Sequence, residues 1–339
     1  MSEYSLLIYI FIFELVFLFI FIIATIFHRF IFYFILRNIQ KRKNTLSSYF
    51  VECIEKKQPF EEKNYPGRSF WQKELLEVLE TFNGRFQGGD WETLKHAAAQ
   101  IFLLPKARKW ARSFSWTKRN FAARSFVLSP LLEDEKTILR LMDDKHFLVW
   151  NKAALAAIEL ESAEGIRKAL IAMTREPGFS HFFYRDALLH CSQTAAKQMI
   201  KEGNDPAVHE ACLDVLGAKS WILSIPFLPN DLQSKDANIR FLAICALIRN
   251  PLPDCTEILI GALLDPHEQI RIQAAKGLAI YSPLTHLDCL ERALSDKSWF
   301  VRIETARALK QAGAKGMEIL HRQKEAIAKE ASQYVELFG

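Results

Sequence analysis

Three stretches near the C-terminus repeat one pattern at a fixed interval. Ile239-Arg240-Phe-Leu-Ala243, Ile270-Arg271-Ile-Gln-Ala274 and Val301-Arg302-Ile-Glu-Thr305 place their arginines 31 residues apart. One further step back from Arg240 meets His209 in Val208-His209-Glu-Ala-Cys, and weaker copies begin at Tyr184-Arg185 and Val149-Trp150. A period of this length is one supersecondary unit, which cannot bury its apolar face alone and must stack on copies of itself. Each copy follows another helical stretch, such as Cys255–Leu264 or Leu287–Leu294, and a short turn at Asp265-Pro266 or Asp296-Lys297. The unit is therefore a pair of antiparallel helices. In its second helix the first apolar residue, the small residue four later and the leucine eight later share one face. No alternating strand pattern interrupts this from Trp71 onward, so the expected fold is all-α: a right-handed α-solenoid of helical pairs.

An Asp in the inter-helix turn with an Arg six residues later, as in Asp265/Arg271 and Asp296/Arg302, resembles the HEAT family. The resemblance covers residues 133–313 well and 69–132 loosely. It implies a structural ladder of hydrogen bonds between these side chains, expected at Asp265, Arg271, Asp296 and Arg302. Earlier units depart from the pattern. Trp150 stands where the Arg after Asp144 would be, Ser234 replaces the acid before Arg240, and Gly203 the acid before His209. The ladder is expected to be broken there. Met317–Phe338 lacks the pattern and reads as part of a C-terminal capping pair over 314–339.

The other end of the chain is of a different kind. From Leu6 to Phe27 only Glu14 and Thr25 interrupt large apolar residues, a run of about 33 Å as helix, enough to cross a hydrocarbon core of about 30 Å. His28, Arg29, Arg37, Lys41, Arg42 and Lys43 follow it, whereas Glu3 is the one charged side chain before it. The positive-inside bias puts the N-terminus outside and everything after residue 37 in the cytoplasm. A cleaved signal peptide fits less well: the run is too long, its basic residues come after it, and no small-x-small site follows. Residues 1–37 are read as a transmembrane anchor and 38–68 as a juxtamembrane helix and linker. Glu14 lies roughly 12 Å into the span, where a carboxylate costs about 2.5–3.5 kcal/mol, and a contact to another membrane segment is expected of it.

The net charge of +5 is unevenly spread, because residues 105–130 hold seven Lys/Arg and no acid. Lys106, Arg108, Lys109, Arg112, Lys118 and Arg119 interleave with Trp110 and Trp116. Basic residues beside aromatics suit anionic lipid headgroups or an acidic protein. Nucleic acid suits a tethered protein less well, since the rest of the cytosolic part is net acidic.

Offsets three and six from the first apolar residue of each second helix define a second candidate surface, the groove. In order these are Lys152, Leu155, Ala187, His190, Ala211, Asp214, Leu242, Cys245, Gln273, Lys276, Glu304 and Arg307. The mixed stripe, apolar at its middle, fits a protein or helix ligand better than a polyanion. The six cysteines form no CxxC and read as reduced, buried small hydrophobes.

No nucleotide-binding, metalloprotease, hydrolase or kinase motif is present, and no cofactor is implied. Deoxyhypusine hydroxylase, a HEAT-repeat enzyme, holds a di-iron site with His-Glu pairs in repeat register. Here His209-Glu210 begins a second helix while His267-Glu268 lies three residues ahead of Ile270, so the pairs are out of register. The expectation is a single-pass, membrane-anchored scaffold or adaptor, not an enzyme, whose partner is a membrane-associated protein or complex. Fold-level analogy adds envelope or polysaccharide machinery. The alternatives are a lyase or hydroxylase on a HEAT scaffold, and a lipid- or nucleic-acid-binding module acting through the basic patch.

Overall fold

A computed structural model describes residues 3–67, 70–175, 178–221, 223–281 and 286–338, all of them helix, turn or coil. It divides into two compact units, 1–156 and 157–339.

The first unit begins with α1 (Glu3–Glu55), a single unbroken helix of 53 residues. No Gly or Pro occurs before Pro59, so nothing in the sequence interrupts it. It stops where Lys57 turns left-handed (φ 49°); the Lys57 and Gln58 N–H groups then donate to the Ile54 and Cys53 carbonyls at 3.2 and 2.9 Å, a Schellman termination. The helix is long and apolar enough to cross a membrane, and its apolar part is unburied by the rest of the chain. The large side chains from Phe11 to Leu36 are exposed, whereas Leu46, Phe50 and Cys53 are buried.

The juxtamembrane helix expected within residues 38–68 is the continuation of α1, and it is packed. The lower half of α1 is a wall of the first core, packed against α2 (Gln72–Asn83) and α3 (Gly89–Ala98). Phe50 meets Phe82 and Trp91, each at 6.4 Å between ring centroids. The loop after α1 packs as well, with Tyr65 stacked on Phe102 at 4.3 Å. After α3 come a π-helical turn (Ala99–Leu103) and α4 (Leu104–Trp110). Pro105, which has no N–H to give the Ile101 carbonyl, follows directly on that irregular turn. The unit continues with α5 (Trp116–Leu128), α6 (Glu135–Met142) and α7 (Phe147–Glu159), which carries the boundary between units.

The second unit is a succession of pairs: α8 (Ala163–Arg175) with α9 (Phe179–Leu189), and α10 (Gln193–Glu202) with α11 (His209–Ala218). Next are α12 (Leu228–Asp231) with α13 (Ala237–Arg249), and α14 (Cys255–Ala262) with α15 (Glu268–Tyr281). The last are α16 (Leu287–Ala293) with α17 (Trp299–Gln311), and α18 (Ala314–His321) with α19 (Ala326–Phe338). The second helices form one layer, α11 on α13, α13 on α15, α15 on α17 and α17 on α19. Ala243, Ala274 and Thr305, one repeat apart, are fully buried in it, as is Ala306, which fixes the helical phase expected from the repeat. The last pair packs on α17, and Gly316 makes that approach possible: a Cβ there would fall 1.9 Å from the Leu309 carbonyl oxygen.

The ladder runs along the stack and reaches an earlier unit than expected. Arg240 and Arg271 each pair with the acid of the following unit, 25 residues on. Arg271 holds Asp296 through Nε and Nη2 at 2.8 and 3.0 Å, while Nη1 donates to the Asp265 and Pro266 carbonyls. Arg240 holds Asp265 at 2.8 and 3.0 Å and donates to the Ser234 and Lys235 carbonyls. Because only the backbone of the preceding turn is used, Ser234 breaks nothing. His209 makes the same bridge between the Gly203 carbonyl and Asp231, at 2.5 and 2.9 Å. Arg302 is the end of the series: it donates to the Asp296 carbonyl, but its buried Nε has no acceptor.

Candidate functional site

In the first unit the basic segment is less free than its sequence implied. Arg119, read as a surface cation, is a ladder residue. It grips Asp144, 25 residues on, with Nη2 to Oδ1 at 3.0 Å and Nε to the other oxygen, and its Nη1 donates to the Ser113 and Phe114 carbonyls at 2.9 and 2.7 Å. Burial alone would raise the Asp144 carboxyl, but the Arg119 and His146 hydrogen bonds outweigh it and hold it below the usual range. Arg108 is bound to Asp134 at 2.8 and 3.0 Å and to Glu133, and Arg124 to Glu80. Both guanidiniums are stabilised by those carboxylates. Three of the seven cations are thereby neutralised within the chain. Lys106, Lys109, Arg112 and Lys118 keep no carboxylate partner among the described residues; Lys106 and Lys118 instead flank the Trp110 ring at 4.4 and 5.7 Å.

The two tryptophans divide. Trp110 is half-buried with its ring edge-on to Phe121 at 5.0 Å. Trp116 is exposed and lies flat on His146, with centroids 3.8 Å apart and planes 6° apart. Between them Phe114 has no cover at all. Glu14 is exposed on the apolar stretch of α1, and Lys152 and Leu155 are half-buried on α7.

In the second unit a cleft of about 450 Å³ opens between the α8–α9 corner and the start of the α11 and α13 faces. Ala211, Asp214 and Leu242 line it as the offset rule expected; Met173, His181, Phe182, Glu210 and Asn238 line it as well. The rule missed these because they lie at the end of α8 and in the first turns of α9, α11 and α13, outside the repeated offsets. Asp214 receives Arg185 Nε at 2.8 Å and His181 Nε2 at 3.2 Å. Glu210 is held by Asn238. The polar groups are thus tied to one another, and Phe182 and Leu242 are the apolar surfaces left facing the opening.

Farther along, Gln273 is half-buried, Lys276 is exposed, and Arg307 pairs with Glu304 at 2.7 Å. Cys245 is partly buried, and burial pushes its thiol up to about 11. Cys191 and Cys255 are also pushed by burial to about 11 and Cys212 to about 12, so these thiols stay protonated and poorly nucleophilic. Among the described residues no group of three His, Cys, Asp or Glu is placed to hold a metal ion. His209 is spent on the ladder and His267 stands beside Asp265 at a helix start.

A family model described as HEAT repeats matches residues 225–310 and 256–326, the segment that carries the best ladder rungs. Residues 225–326 are HEAT repeats. No curated protein sequence matches it. Among solved structures it is similar to Escherichia coli YibA, with 15% identity and TM-score 0.37 over 74% of this chain and 99% of that one. It is similar to the CpcE–CpcF complex of phycocyanin lyase from Nostoc, with 16% identity and TM-score 0.32 over 69% and 93%. Human deoxyhypusine hydroxylase gives 16% identity and TM-score 0.28 over 71% and 96%. At these scores the fold rests on the repeat itself.

Proposed function

We propose that this HEAT-repeat protein is a membrane-anchored adaptor. In this reading α1 crosses the membrane with its N-terminus outside, the repeats stand on the cytoplasmic face, and the inner stripe of the second unit docks a segment of a membrane-associated protein. The anchor reading rests on α1, whose exposed apolar upper half would otherwise present a long hydrophobic surface to water. The docking reading rests on the cleft beside Leu242. Its Asp214 is paired with Arg185 and hydrogen-bonded by His181, its Glu210 accepts from the Asn238 amide, and Phe182 and Leu242 are left to take an apolar side chain. This suits binding better than acid–base chemistry, which needs an uncommitted group within reach of a substrate.

The test is a photo-crosslinking residue at Leu242 in the full chain, irradiated in its own membranes. A discrete protein adduct at 242, lost on Ala211→Arg and absent with the probe at the exposed Leu264, supports docking. Equal adducts at 242 and 264 overturn it.

A further inference from the structure

The first unit fixes the height of the basic–aromatic loop relative to the membrane, given the reading of α1 as the anchor. α2 runs parallel to α1, since Arg42 pairs with Glu74 at 3.0 Å and Phe50 meets Phe82 farther along both helices. The start of α2 is therefore its membrane end, where the Arg42 guanidinium lies 5.2 and 5.7 Å from the Phe70 and Trp71 rings. The α3–α4 run returns toward the membrane. Lys95 donates to Asn83 at the far end of α2 (3.0 Å), and Gln72 donates to the Phe102 carbonyl at the near end (2.9 Å).

Glu74 stands level with Arg42, which is about 7.5 Å below Arg37, where the apolar part of α1 ends. α5 gives the height of the loop. Arg124 holds Glu80, about 9 Å down α2 from Glu74, and Trp116 starts α5 about 12 Å nearer the membrane than Arg124. That places Trp116 a few ångströms below the plane of Arg37, within the headgroup layer.

The loop is built for that position. The Arg119 guanidinium, anchored on Asp144, holds the Ser113 and Phe114 carbonyls, so the turn that presents Phe114 is fixed before any lipid arrives. Phe114 is fully exposed and Trp116 40% exposed. The four cations without carboxylate partners lie on the same end. Burial and then the like charge of Lys73 weaken the hold of the Lys106 ammonium on its proton.

We propose that the α4–α5 loop is a second membrane contact, in which Phe114 and Trp116 enter the headgroup layer of the bilayer that α1 spans and Lys106, Lys109, Arg112 and Lys118 bind anionic phospholipid headgroups. The anchor and the loop together would hold the first unit in one orientation on the membrane. Aromatic insertion beside basic residues is the usual chemistry of interfacial binding, and a cytoplasmic leaflet attracts cations electrostatically.

The full chain is reconstituted in vesicles of phosphatidylcholine, with or without one-third phosphatidylglycerol, carrying a photoreactive phenylalanine at 17, 87 or 114. Position 17 reports the anchor, 114 the loop, and Gln87 lies at the far end of α2, exposed and away from the bilayer. The expected result is lipid capture at 17 and 114 and little at 87. Capture at 114 should be several-fold higher with phosphatidylglycerol, and that excess should vanish in the Lys106→Gln, Lys109→Gln, Arg112→Gln, Lys118→Gln variant or at 1 M salt, where the Debye length is about 3 Å. Capture at 17 but not above the level of 87 at 114 overturns the loop contact while leaving the anchor intact. Failure at 17 removes the anchor and this proposal with it. Equal capture at 114 from neutral and anionic vesicles overturns the role of the four cations.

Discussion

The ladder rung between Arg240 and Asp265 can be removed from either side, and its geometry sets what each change should cost. Asp265→Ala deletes two charge-assisted hydrogen bonds of 2.8 and 3.0 Å and the 2.8 Å bond that Asp265 accepts from the His267 N–H. Breaking a fully buried pair costs about 3–5 kcal/mol. Here the side chains are 14% and 12% exposed, and Arg240 keeps the Ser234 and Lys235 carbonyls. The expected loss is therefore smaller, about 2–3 kcal/mol. Arg302→Ala should cost only about 1 kcal/mol, because this end residue has a backbone acceptor and the Trp299 ring but no carboxylate. Denaturant unfolding of the full chain in detergent, followed by helical signal, reads both. The double variant Arg240→Ala/Asp265→Ala should cost clearly less than the sum of the singles. Strict additivity, or an Asp265→Ala loss below about 0.5 kcal/mol, would show that the rung does not couple the two units.

Further outcomes follow from the packing and charge. Gly316→Ala must move α18 away from the Leu309 carbonyl and should cost about 1–3 kcal/mol or more, lowering the melting midpoint, whereas Gly261→Ala, where a Cβ meets nothing, should not. Phe50→Ala should cost about 3–5 kcal/mol. It should expose the first unit to protease while leaving the chain in the membrane, because Phe50 is fully buried and lies below the apolar part of α1. The Asp144 and Asp265 carboxyls are held below their ordinary range, with burial opposing and the arginine and backbone hydrogen bonds prevailing. Their contribution is therefore complete above the unfolded value of about 3.9 and is lost as pH falls through the lower folded values. The acid limb of a stability-against-pH curve should be shallower for Asp265→Asn than for the unaltered chain.

The repeat was legible because its spacing is a packing requirement: residues that must be small where helices touch recur at 31, and Ala243, Ala274 and Thr305 are buried as that demands. The extent of the ladder was less legible, for a physical reason. Asp265 and Arg271 are neighbours in sequence, but the guanidinium reaches the next turn's carboxylate and uses only the backbone of its own. With the 25-residue interval in hand, Arg119 and Asp144 form the same pair in the sequence, and the seven cations of the basic segment become four once Glu133, Asp134 and Glu80 are placed as well. The juxtamembrane helix was legible, with Phe50 and Cys53 on one face, yet nothing local says that α2 and α3 cover that face. The cleft was half visible. Ala211, Asp214 and Leu242 obey the repeat, whereas His181 and Phe182 come from a corner specific to one pair.

The claim on which the rest stands is that α1 spans a membrane and delivers the repeats to its cytoplasmic side. Cys53 is buried, so thiol labelling there would report folding and not topology, and a C-terminal fusion to a paired fluorescent-protein and alkaline-phosphatase reporter is the direct measurement. The account predicts a chain that stays in the membrane after carbonate washing, fluoresces at its C-terminus and shows no phosphatase activity. Release by carbonate, or an active phosphatase, would contradict it.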